Sequence, residues 1–348
     1  MEMLNSMQRV LTTLGHQEPD RVPFFLLATM HGAKMRDITI KEYFSKAEYV
    51  VEGQLRMQSR YRHDCLSGFF HAPLEVQAWG GEVLFRDDGP PNSGQPPISD
   101  PESILRLEAP AISDSPCLHP VLDALRSMKS KVADTIPIIG VAMSPFSLPV
   151  MQLGFDHYLD LIYDRPDLFQ ALMRINIEFC VSWANAQLEA GATAICYFDP
   201  VASPTIVPRE TYESTGFKVA QETLARIKGP TATHLASGRS LGIADLLPQT
   251  GTAAVGVSAD EDLAQLKAAF RGKLSLIGNL NGVTMRNWTQ EETRKTVLDA
   301  IQKGGPGGGF ILSDNHGEIP FQVSDDILMT ISETVHTHGR YPIARDQT

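Results

Sequence analysis

Apolar positions along the chain follow two periods. Leu4, Met7, Val10, Leu11 and Leu14 recur at spacings of three and four, and Gly15 stops the pattern, which predicts an amphipathic helix within 2–18. Short apolar runs follow at 22–28, 65–70, 136–143, 192–198, 231–235, 253–258, 274–277 and 310–313. Runs of this length, mostly apolar rather than strictly alternating, read as strands buried on both faces. Helical patterns lie between most of them, over 40–62, 155–165, 166–190, 261–271 and 289–303. Pro166 occupies the first turn of its helix, and Thr289 with Glu292 has the spacing of a capping box. Residues 86–101, rich in Pro, Gly, Asp and Ser, begin a long loop excursion over 86–110, of the kind that forms a lid or wall at a binding mouth.

Eight strands alternating mainly with helices, without a GxGxxG or P-loop signature, predict an α/β fold: a (β/α)8 TIM barrel with an N-terminal helical extension (1–20), forming one domain over 1–348. The chemistry should then lie at the C-terminal ends of the strands. Those ends carry His71 and Glu75, Ser144, Asp199, His234, Asp260, Asn279, and Asp314 with His316. A His and a carboxylate four residues apart suit acid–base or metal chemistry, although a solvated surface loop has the same look. Asp199 is followed by Pro200, which ends the ladder and fixes the carboxylate; a turn-capping Asp is the plainer reading. Glu75, Asp199, His234 and His316 are expected to converge at one mouth.

Composition narrows the function. With 348 residues, 43% of them hydrophobic, the chain can bury one large core, and at 20% charged it is no disordered polyelectrolyte. A net charge of −11 argues against wrapping nucleic acid, which needs clustered Lys and Arg. No apolar run is long enough to span a membrane, and the N-terminus lacks a basic-then-apolar leader. The four scattered cysteines, Cys65, Cys117, Cys180 and Cys196, contain no CxxC and read as reduced thiols of a cytoplasmic protein.

Three segments carry a resemblance. Tyr197-Phe198-Asp199-Pro200-Val201-Ala202-Ser203 resembles an Asp-Pro-Val-Ala-Ser segment, and Leu276-Ile277-Gly278-Asn279-Leu280 a Gly-Asn-Leu strand end, of the uroporphyrinogen decarboxylase superfamily. Glu75-Val76-Gln77-Ala78-Trp79-Gly80 resembles the corresponding segment of its branch of methylcobalamin:coenzyme M and corrinoid-protein methyltransferases. The resemblance implies a barrel enzyme of one-carbon metabolism, with a corrinoid (methylcobalamin) carried by a partner protein and a small methylated substrate, expected to carry its methyl group on oxygen. It also implies a zinc site built from His-x-Cys and a distant Cys.

The departures are informative. The decarboxylases place an Arg pair after their first strand, whereas 26–32 here holds none, and His71 stands where their central Asp would be. His234 matches the methyltransferases' zinc His, but Ala236 and His316 replace the two Cys. The resemblance therefore leaves His234, His316, Asp199 and His71 as catalytic candidates, with Glu75, Asn279, Asp314 and Ser144 as substrate-binding candidates. Any zinc would rest on His234, His316 and Glu75, a harder donor set suited to an oxygen-bearing substrate. Without a metal, the histidines would act as acid–base groups. A decarboxylase of a tetrapyrrole or small acid, and a silent barrel that only binds a corrinoid protein, are the alternative readings.

Overall fold

The computed structural model describes residues 3–343. Its centre is a seven-stranded, all-parallel sheet: β1 Leu66–Ser67, β2 Ile138–Met143, β3 Ala194–Phe198, β4 Thr231–His234, β5 Ala254–Gly256, β6 Ser275–Leu280 and β7 Phe310–Asp314, hydrogen-bonded in sequence order. Each strand falls within or beside an apolar run expected to form one. The helix Pro166–Glu189 packs on β2 and β3, and Gln290–Gly304 on β6 and β7. Thr289 and Glu292 form the expected capping box.

The run at 22–28 departs from expectation. It makes one parallel bridge, Phe24 to Leu312, rather than a ladder. Pro23 has no N–H to give, and the Phe24 N–H goes to the Asp64 carboxylate at 3.0 Å. The segment nevertheless touches both edges of the sheet. Phe25 N–H donates to Leu312 O at 2.9 Å on one side, and Asp64 N–H donates to Phe24 O at 2.8 Å on the other. The sheet is therefore curled, and an extended segment lies between its two edges.

The helix Ser6–Leu14 is shorter than 2–18 and is closed by Asn5 in a capping box. A buried ionic clamp holds it below the sheet. Arg9 bonds Asp20 and Asp64, each at 2.7 Å, and Arg21 bonds Asp64 at 2.7 Å. Its apolar side, with Val10 and Leu14, packs with Phe25, Cys65, Ile139 and Ile311 into a floor under the curled sheet. In the loop excursion, Val83–Leu84 and Asn92–Ser93 form a short antiparallel pair, and Pro101–Arg106 forms a 3-10 turn. All four cysteines are free thiols.

Candidate functional site

In a parallel sheet, residues paired across neighbouring strands share a face. One such row runs Phe198, His234, Gly256, Ile277, Ile311, and the row beneath it runs Val141, Cys196, Ala232, Ala254. Both rows face inward and line a cavity of about 300 Å³. The cavity runs from Phe69, Pro90 and His316 at the C-terminal mouth down to Val10 and Leu14 on the floor helix.

His234 is the polar member of the upper row. Its ring stacks on Phe198, with centroids 5.5 Å apart. Gly256 leaves it room, since a Cβ there would stand 2.6 Å from His234 Cδ2. Ala236 adopts a left-handed φ of 51°, and its N–H donates to His234 Nδ1 at 3.0 Å. A ring nitrogen that accepts carries no proton, so the neutral imidazole bears its hydrogen on Nε2. Burial, with the neighbouring His316, lowers the His234 pKa to about 4 and keeps it neutral near pH 7. Nε2 has no partner and His234 is only 4% exposed, leaving a buried donor at the cavity wall.

His316 and Glu318 stand on the turn after β7, and both line the cavity. His316 pairs Nδ1 with the Ser237 hydroxyl, and its Nε2 lies 3.4 Å from Asn281 Oδ1. Burial lowers its pKa, against the nearby Asp260. Glu318 accepts from the Thr29 hydroxyl, and burial raises its pKa to about 7, where a carboxyl can both give and take a proton. Gly317 permits this packing, because a Cβ there would meet Phe198 at 2.9 Å. Asp314 anchors the turn: its Oδ2 accepts from the N–H groups of His316 at 3.0 Å and Gly317 at 3.1 Å, and burial pushes its pKa up to about 7.

The other candidates do not join this group. Asp199 follows inward-facing Phe198, and its side chain accepts from Ser144 Oγ at 2.5 Å and Ser147 Oγ at 2.6 Å. Burial raises it to about 6 against these two bonds. Glu75 accepts from Met143 N–H at 2.8 Å beside Trp183 of an outer helix, and burial raises it to about 8. Neither carboxylate, nor Ser144, lines the cavity. Of the four residues expected to converge, His234 and His316 line the cavity, whereas Asp199, held by Ser144 and Ser147 just past its strand, and Glu75, on the short helix Leu74–Ala78, do not. His71 packs edge-on between Phe44 and Phe85, with its pKa lowered to about 4 by burial. Asn279 donates to Ser258 O at 3.0 Å and lines a separate cleft with Asp260.

Among the described residues, no three His, Cys, Asp or Glu side chains come together as a metal site. The set His234, His316 and Glu75 is not assembled, and the donors present do not fit a structural or catalytic zinc. Glu318 and Thr29 escaped the sequence reading. Glu318 lies only two residues past His316, but a glutamate next to Gly317 in a turn looks solvated until the turn is folded inward.

The comparisons with known proteins give a family by sequence and a shared fold by structure, under different names. The family model for uroporphyrinogen decarboxylase (URO-D) matches residues 5–338. Uroporphyrinogen decarboxylases of Cupriavidus necator and Xylella fastidiosa are each 25% identical to the chain, over 84% and 92% of it and 83% and 95% of their own lengths. Among solved structures, a methyltransferase from Methanosarcina mazei superposes with a TM-score of 0.85 at 19% identity, over 96% of this chain and 99% of that one. A B12-independent methionine synthase from Shewanella superposes with a TM-score of 0.55 at 15% identity, over 92% and 95%.

Proposed function

Taking as premise that the chain belongs to the uroporphyrinogen decarboxylase family, we propose that it is a corrinoid-linked methyltransferase acting on an uncharged O-methyl substrate. The observation that carries this reading is the cavity's charge: no Lys or Arg stands among the described residues that line it. A porphyrinogen bearing several carboxylates would be stripped of water there with nothing to pair it. An ether makes no such demand. It needs a proton donor for the oxygen left behind when the methyl group departs.

His234 supplies that donor as a neutral Nε2–H at the wall, and Glu318, near its midpoint at pH 7, supplies a transferable proton. His316, oriented by Ser237 and Asn281, closes the same side of the mouth. A reduced corrinoid presented by a partner protein would supply the electron pair that takes the methyl group. The C–O bond breaks, the oxygen keeps its bonding pair, and one proton from this chain completes the alcohol. The name of the Methanosarcina mazei structure supports this reading.

A second reading, decarboxylation, is favoured by the names of the curated relatives. The test is an absorbance assay of reduced cobalamin with candidate methyl ethers, amines and thiols, run beside uroporphyrinogen. Methylation of cobalt by an ether, with uroporphyrinogen untouched, is the expected result. Coproporphyrinogen formation would replace the proposal with the second reading.

A further inference from the structure

Parallel barrels are normally filled by layers of bulky branched side chains. Here the inward row Val141, Cys196, Ala232, Ala254 is mostly small, and Gly256 stands directly above it. The void is thus written into the register: where neighbouring strands would each send Val, Ile or Leu inward, they send Cys, Ala and Ala. At about 300 Å³ it is roughly twice the ~150 Å³ engineered cavity that takes benzene in the well-known model case. Its wall is apolar to the floor, with Phe25, Leu27, Ile139, Ile277 and Ile311 among its residues. Among the described lining residues, the buried side-chain polar atoms without a partner are His234 Nε2, near the top, and the Thr233 hydroxyl.

We propose that this bore is a substrate-binding site for a neutral, single-ring-sized apolar body, inserted ring-first, with its oxygen at His234 Nε2 and its methyl group toward the mouth. The proposal deepens the methyltransferase reading by naming the substrate class, and the orientation of the methyl group rests on that reading. The small row sets specificity: it decides how far the ring descends, and therefore whether the oxygen meets His234. A ligand whose ring carries a negative charge is rejected, because no Lys or Arg stands among the described lining residues to pair it.

The experiment is calorimetric titration of the full chain with anisole, and with 4-methoxybenzoate as the charged counterpart. Ala254→Leu and, separately, Cys196→Leu fill the bore, and circular dichroism confirms that each variant folds. Saturable one-to-one anisole binding, weakened about tenfold or more by either filling variant, is expected. Binding of 4-methoxybenzoate should be at least about tenfold weaker than that of anisole. Unchanged anisole affinity in both folded variants, no anisole binding by the wild type, or equal binding of the benzoate would overturn the proposal. Because binding is read without a corrinoid, the two claims separate. Anisole bound but never demethylated sinks the methyl-transfer reading and leaves the bore. Methyl transfer from small ethers by a protein that does not bind anisole does the reverse.

Discussion

The two sides of the sheet's C-terminal rim are built alike and used differently. At the ends of β2 and β3, Ser144, Ser147 and Asp199 bond one another, and Glu75 closes on the Met143 N–H. At the ends of β4 and β7, His234 keeps a free donor, and Glu318 accepts from the Thr29 hydroxyl and the Met30 backbone while lining the cavity. Both sides carry carboxyls with raised pKa values, so a perturbed pKa by itself does not find the site. Direction does. Asp199 and Ser144 lie one residue beyond inward-facing Phe198 and Met143, whereas His234 is itself in the inward row. The first group joins sheet to helices, and the second faces the cavity.

The sharpest way to break this contrast is to remove the inward group. His234→Ala and His316→Ala should each lower methyl transfer by about 10²-fold or more, the range of acid–base and electrostatic groups, as measured by initial rates of cobalt methylation. Glu318→Gln should cost about tenfold. Wild-type activity should decline as pH rises through about 7, where the Glu318 proton is lost, and the variant should lack that limb. A pH profile identical in wild type and variant would remove Glu318 from the chemistry.

On the outward side the readout is stability. Asp199→Ala strands two buried hydroxyls and should cost about 1–3 kcal/mol by urea unfolding. Glu75→Gln should change activity less than about twofold, because its carboxyl, raised to about 8, is already neutral at pH 7.

Stability should also peak at mildly acidic pH. Glu75, with its pKa raised from 4.5 to about 8, holds a proton in the native state that the unfolded chain has released, so its contribution is lost as pH rises across that span. His31, His63, His71 and His234, each lowered from 6.5 to about 4, resist protonation when folded, so stability falls as pH drops through that interval. Thermal melts from pH 4 to pH 9 would check this, and a monotonic rise of Tm up to pH 9 would contradict it.

Much of this was legible before folding. The apolar runs place the seven strands, Thr289 and Glu292 place a helix start, and His234 and His316 stand at strand ends that prove to face the cavity. Two things were not. The run at 22–28 is as greasy as a strand, but Pro23 and the Asp64 carboxylate take away the donors of a ladder. Fully buried strands do not alternate in polarity, so the direction of Asp199 could not be read from pattern, only from its pairing with neighbouring strands. Glu318 was hidden for a related reason, since only the folded turn, held by Asp314, brings it to Thr29.

The central claim is that the inward face does the chemistry and the outward face does not. Single-turnover methylation of reduced cobalamin by a neutral methyl ether, followed by cobalt absorbance for wild type, His234→Ala and Asp199→Asn side by side, tests it most directly. The account predicts a rate lower by about 10²-fold for His234→Ala and within about threefold of wild type for folded Asp199→Asn. Equal losses in both, or a greater loss in Asp199→Asn, would contradict it.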